Sequence, residues 1–346
     1  MQISFEKIED DLYFLLLLKI LRTMKMKLKL FATIIVLTFL NKNISGQIAI
    51  GNLDLVPKDK TTITYFMLKD PSAESAKPYI KALEEAWTIG KLEFIKYSDK
   101  NKYTSSENYF ISIGGITYTT TWSKSGAPSN MDYSNTHVYL EYYKAGKSTE
   151  KVDKKGRKSI VEGEHKQIAR IELYTDFQTL MEPSNIFNSD IDGAGHIRNW
   201  GPGILKNYVQ CIMSFINNNV ERKLYDNIDK SKELKNLRNA TLFVPDNVLI
   251  KFGKFSGDES KRFDESDIFK KYTYKYQLLS IEELNEKILT EKNPFYYLVY
   301  IKSSTDKFVS VINSVTGEML YTRYKPVSYN FKSDDIEEVQ SAIKKN

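Results

Sequence analysis

The chain has 346 residues, 41% hydrophobic and 27% charged, the proportions of a globular protein and not of a disordered, collagen-like or multi-spanning one. Residues 1–46 hold seven Lys/Arg against four Asp/Glu, so half of the net charge of +6 is theirs and the remainder of the chain is close to neutral. Lys and Glu are interleaved, which leaves no basic stripe for nucleic acid and no polybasic cluster for anionic lipid, and a single cysteine, Cys211, excludes an internal disulfide.

At the amino terminus, Met24, Lys25, Lys27 and Lys29 make a basic start, Leu30 to Leu40 an apolar run, and Ile44, Ser45 and Gly46 a short stretch before Gln47. Basic, apolar, then small is the order of a secretory signal peptide. The apolar run fits the roughly 7 to 15 residues of a signal core and falls short of the roughly 20 that span a bilayer. Residues 1–46 are therefore read as the signal peptide, with cleavage after Gly46. Glu6, Glu9, Asp10 and Asp11, followed by a second apolar patch from Leu12 to Ile20, do not belong to a signal, so Met24 is the alternative start. An uncleaved leader would instead anchor the chain, and membrane contact is expected only in that case. The leader, with glutamine directly after the cut, resembles those of exported Bacteroidota proteins. That resemblance covers the leader alone and implies a periplasmic or secreted protein.

Thr62 to Lys69 reads as a strand, and Ala76 to Trp87 as a helix with Tyr79, Ile80, Leu83 and Trp87 on one face. Strands follow over Leu92–Tyr97, Tyr109–Ile113, Ile116–Trp122, Val138–Tyr143 and Ile168–Thr175. Gly114 and Gly115 predict a hairpin turn between two of these, because both turn positions take positive φ without penalty. The polar stretch from Lys144 to Lys166 predicts a mobile surface connection. Ile204 to Leu224 predicts the longest helix, with Cys211 among its apolar residues as a buried, inert thiol. The second half predicts strands over Ala240–Val244, Tyr276–Leu279, Phe295–Lys302, Phe308–Asn313 and Met319–Tyr324, and helices over Glu265–Tyr272, Ile281–Thr290 and Asp335–Lys344. Ser280 and Glu283 have capping-box spacing.

The pattern is α/β, with α+β as the alternative, arranged as two tandem domains with mixed sheets. The first domain is 47–225, the linker 226–239 and the second domain 240–346. The halves repeat an aromatic helix end (Trp87, Tyr272), a short strand and an aromatic strand, at spacings of 22 and 23 residues from Trp87 to Tyr109 and from Tyr272 to Phe295. A diverged duplication explains this. The competing explanation is the common spacing of any two α/β domains.

For chemistry, Asn188 to Gly193 matches the opening of a calcium loop, with Asp190 and Asp192 as oxygen ligands and calcium as the cofactor it would take. The match lacks a glutamate at its twelfth position, which is Asn199, and a polar turn accounts for the same residues. The segment runs on through His196, Arg198, Gly201 and Gly203 into the long helix, whose amino terminus can bind an anion with His196 and Arg198 as donors. Glycine and proline before a helix are also ordinary start signals. No nucleophile elbow, zinc helix or Cys-x-x-Cys is present. The 23 tyrosines, Tyr296, Tyr297 and Tyr300 among them, are expected to pack as half-buried strand residues. The expected function is non-catalytic binding of a protein or small ligand at the cell envelope. The alternative is a metal-assisted or anion-binding enzyme built on the 188–203 loop.

Overall fold

A computed structural model describes residues 47–346 apart from 104, 123–130, 162, 182–196, 230, 254–255 and 305. The leader, Met24 included, therefore lies outside the described residues. In chain order the strands and helices of the first half are β1 (Ile48–Ile50), β2 (Ile63–Leu68), α1 (Lys77–Ala86), β3 (Lys91–Lys96), β4 (Tyr109–Trp122), β5 (Met131–Lys144), β6 (Thr149–Val152), β7 (Lys158–Val161), β8 (Lys166–Glu172), α2 (Phe177–Met181) and α3 (Pro202–Asn217). The second half holds β9 (Leu242–Pro245), β10 (Ile250–Lys251), β11 (Lys261–Arg262), α4 (Glu265–Phe269), β12 (Tyr276–Leu279), α5 (Ile281–Thr290), β13 (Tyr296–Ser303), β14 (Asp306–Asn313), β15 (Met319–Lys325) and α6 (Ser333–Lys345).

Both halves are mixed α/β. The first sheet has the order β1-β8-β5-β4-β2-β3 and the second β12-β9-β13-β14-β15. In the first, β2 runs parallel to β3 and to β4, and β4, β5 and β8 continue antiparallel. In the second, β9 runs parallel to β12 and to β13, and β13, β14 and β15 continue antiparallel. The series β3-β2-β4-β5-β8 and β12-β9-β13-β14-β15 thus have the same strand order and directions. In each, the second strand in sequence takes the outside position and the third crosses to the other side of the first. The runs paired by the aromatic spacing, Leu92–Ile95 with Tyr276–Leu279 and Asn108–Ile113 with Pro294–Ile301, fall at matching positions.

Three local expectations are corrected. Gly114 and Gly115 make no turn: they sit inside β4, opposite Tyr139 and Val138 of β5. A Cβ on Gly114 would lie 2.7 Å from the Tyr139 ring, so the residue is glycine because a neighbouring aromatic lies across it. The stretch from Lys144 to Lys166 carries a hairpin, β6 with β7, turned at Gly156, where φ is +76°. The long helix stops at Asn217, short of Leu224, where Asn219 turns back with φ +54° and the Val220 N–H reaches the Phe215 carbonyl.

Every described residue belongs to one compact unit, Ser45–Asn346, whose sheets share a core. Segment 226–239, read as a linker, carries a 3-10 turn, Lys232–Arg238, with Leu234 and Leu237 buried. Helix α3 lies at the centre of the core. Ile204, Leu205, Tyr208, Val209, Cys211, Ile212 and Met213 are all buried, a wide apolar face that leaves only the stripe of Lys206, Gln210, Ser214 and Asn217 toward solvent. Its buried polar side chains are then satisfied by protein. Asn207 donates to the Ser314 carbonyl at 2.9 Å and accepts from the Tyr297 hydroxyl at 2.9 Å, while the Tyr208 hydroxyl takes Gln47 at 3.3 Å and Asn199. The tyrosines of β13 pack, yet the strand is buried at every position and not half-buried, with Tyr296, Tyr297 and Tyr300 all inside. No helix among the described residues is long and apolar enough to cross a membrane.

Asn207→Leu leaves the Tyr297 hydroxyl and the Ser314 carbonyl without partners in the core. It is expected to cost about 3 kcal/mol in urea denaturation, from two unsatisfied groups at about 1–3 kcal/mol each. A variant as stable as the parent would show that these bonds do not hold α3 to the second sheet.

Candidate functional site

Of the residues singled out in the sequence, Asp190, Asp192 and His196 lie outside the described residues, and Arg198, Gly201 and Gly203 lie at the entry to α3. Arg198 bonds Glu259 at 2.7 Å. Gly201 and Gly203 face α5: a Cβ on Gly201 would lie 2.2 Å from Asn285 Nδ2, and one on Gly203 would lie 2.7 Å from the Asn285 carbonyl. Both glycines allow α5 to approach the start of α3. Asn285 Oδ1 then accepts the Ile204 N–H at 3.0 Å, occupying a backbone donor that an anion would use. Gly203→Ala gains about 1 kcal/mol of helix propensity and loses about 1–3 kcal/mol to overpacking. A net loss near 1 kcal/mol is expected in the urea midpoint, and a stabilised variant would refute the close approach.

A cavity of about 280 Å³ opens beside these residues. Ile197, Arg198 and Trp200 form one wall, ahead of α3. Asp246, Asn247 and Ile250, from the turn after β9, form the second, with Arg262 of β11. Ser280, Ile281 and Glu282 close it at the start of α5, where the expected capping box is present. Three buried polar atoms on these walls have no partner: Trp200 Nε1, Asn247 Oδ1 and Arg198 Nε. Trp200 is 6% exposed and Asn247 5%. Each of the three atoms is sealed from the cavity as well as unpaired, so the surface open to an occupant comes from the other atoms of these walls, those of Asp246, Arg262 and Glu282 among them. A second concavity, about 400 Å³ between Gln277 and Glu291, has no such atom among its lining residues.

Two further clusters join the halves. His137, Glu172 and Ser303 meet in the interior: Glu172 Oε2 is 3.0 Å and Ser303 Oγ 2.9 Å from the same nitrogen, His137 Nδ1, and Ser303 donates to Glu172 at 2.8 Å. Arg170 neutralises Glu172 through its other oxygen at 2.6 Å. A nucleophilic relay needs the serine and the acid on opposite ring nitrogens, so this arrangement is a closed polar junction. In the second cluster, Lys302 is fully buried, 2.6 Å from Glu259 and 3.6 Å from the centre of the Phe252 ring. Glu259 thus bridges Lys302 to Arg198 at the cavity wall. Burial pushes the Lys302 ammonium below its ordinary range, against the opposing pull of Glu259.

Among the described residues, no group of three or more His, Cys, Asp or Glu is placed to hold a metal ion. Cys211 is buried in α3, and burial pushes its thiol up to about 12. Native protein at pH 8 is expected to leave Cys211 unmodified by a thiol reagent, with one equivalent reacting on unfolding. Fast labelling of the native form would contradict this burial. Comparison with family models, curated proteins and solved structures gives no match.

No single sequence motif marks the cavity, whose walls come from positions 197–200, 246–250, 262 and 280–282. Its legible parts were Arg198 and the Ser280 cap. Trp200 and Asn247 carry no local signal, because an unpaired polar atom is defined only by its surroundings in the fold.

Proposed function

We propose that the chain is an exported binding protein of the cell envelope that acts without chemistry of its own, with the cavity at Trp200, Asn247 and Arg198 as its ligand site. The cavity's mixed lining, with Asp246, Arg262 and Glu282 beside Ile197 and Ile250, carries this reading. The shared strand order of the two sheets supports descent from one duplicated α/β unit, with the cavity drawing its walls from both copies.

Export predicts a mature chain beginning at Gln47, whose side-chain nitrogen donates to Tyr208 in the interior. Cyclisation would expel that nitrogen as ammonia and break the bond, so the folded protein is expected to keep an open Gln47. Amino-terminal sequencing of secreted protein tests this, and an intact leader recovered in the membrane would refute export. Thermal-shift screening of the Gln47–Asn346 chain against calcium, zinc, phosphate, sugars and peptides tests binding. Stabilisation follows from mass action, about 2.7 kcal/mol at a hundredfold excess over Kd. A ligand whose effect is lost in Arg262→Gln supports the cavity; the absence of any shift counts against it. Hydrolysis or turnover of an added compound would favour the alternative enzyme on the 188–203 loop.

A further inference from the structure

We propose that the buried junction of His137, Glu172, Ser303 and Asp306 is a proton-binding site, which ties the two halves of the molecule together in mild acid and loosens that tie as the pH rises. None of the four lines the cavity. Glu172 Oε2 and Ser303 Oγ both stand at His137 Nδ1, and Ser303 spends its one proton on Glu172. Both oxygens are then acceptors toward the ring, so Nδ1 carries a hydrogen and Nε2 is the nitrogen that gains or loses a proton. Imidazole is the side chain that ordinarily changes charge between about pH 5 and pH 8.

Two carboxylates meet one fixed cation here. Glu172 is fully buried and bonded to Arg170, which also stacks on the Tyr139 ring at 3.9 Å from its centre. Asp306 stands opposite Ser303 where β13 turns into β14, and it accepts the Tyr324 hydroxyl at 3.1 Å. Burial pushes the Asp306 carboxyl above its ordinary range and Glu172 adds to this, against the bonds from Tyr324 and the Val327 N–H and the charge of His137. With a neutral ring, Glu172 and Asp306 outnumber Arg170 by one charge. A single proton held between His137 and Asp306 brings the cluster to zero.

The other described charges near the junction are engaged elsewhere. Along β5, Glu141 bonds His165 and Gln167. Ile116 of β4 stands opposite His137, and α2, which packs on β5, has no ionisable residue. Asp176, just ahead of α2, acts on Arg198 and Lys302. On β13 and β14, Lys302 and Lys307 turn to Glu259 and Asp335, while on β15 Arg323 and Lys325 share Glu338. Charge balance therefore falls to the proton, and since His137 and Glu172 belong to the first half and Ser303 and Asp306 to the second, its loss sets the two halves against each other.

The test is urea denaturation of the Gln47–Asn346 chain from about pH 5 to pH 8 beside Asp306→Asn and His137→Gln. A site that holds its proton more tightly folded than unfolded stabilises the fold in acid and gives that stability up as the pH rises. The folding equilibrium constant of the parent, relative to Asp306→Asn, is expected to drop about tenfold across this range. The same drop is expected relative to His137→Gln. These differences cancel the contribution of other groups, His165 among them. Asp306 is half-buried at the end of a hairpin, so its variant decides the matter by itself if circular dichroism shows His137→Gln unfolded. A difference of opposite sign, with the parent gaining on the variants as the pH rises, would show an ordinary buried neutral imidazole and overturn the proposal. A difference that does not change with pH overturns it as well, and so does a pH dependence that only one of two folded variants removes.

Discussion

Helix α3 is buried over most of its circumference, leaving a narrow stripe of Lys206, Gln210, Ser214 and Asn217 toward solvent, and the rest of the structure is arranged around the cost of that burial. Its inward face is closed to water, so each polar group buried there needs a protein partner. Asn207 and Tyr208 find theirs on β13, on the turn after β14, on Asn199 and on Gln47, while Asn285 accepts the Ile204 N–H at its start. The same contacts bring α5 against residues 200–203. Since the cavity lies between Trp200 and the first turn of α5, its position follows from how α3 is capped.

Buried charge plays a comparable part between the halves. Lys302 and Lys307 stand opposite one another on β13 and β14, two like charges that would repel if left bare. Each is matched by its own carboxylate, Glu259 and Asp335, both at 2.6 Å. On the neighbouring position of the same hairpin, Ser303 turns the other way, toward His137 and Glu172 of the first sheet. Removing one partner of a buried pair typically costs about 3–5 kcal/mol, far more than an exposed pair contributes. The Lys302 and Ser303 clusters therefore fix the register of β13 against the first half, since a slip by one residue would exchange Lys302 with Ser303 and strand the buried charge.

The elements were largely legible because their signals are local. Periodicity marked α1 and α6, Ser280 with Glu283 marked the start of α5, and alternating aromatics marked β13. The matching order of the two sheets was foreshadowed by the spacing from Trp87 to Tyr109 and from Tyr272 to Phe295, which placed β3 with β12 and β4 with β13. Gly114 and Gly115 were misread for a specific reason: glycine permits a turn, yet it also permits a ring to lie across a strand. Only the position of Tyr139 distinguishes the two.

The sequence by itself determined the balanced charge, the α/β alternation and the caps, properties that depend on neighbours within one or two turns of chain. The tertiary structure decided which polar groups are paid for and which are left unpaired. Lys302 meets Glu259 across 43 residues, and Ser303 meets His137 across 166. Trp200 and Asn247 come to share a cavity only once positions 197–200, 246–250 and 280–282 have packed together. A cavity is a property of an environment, and it comes into being when distant segments close around it.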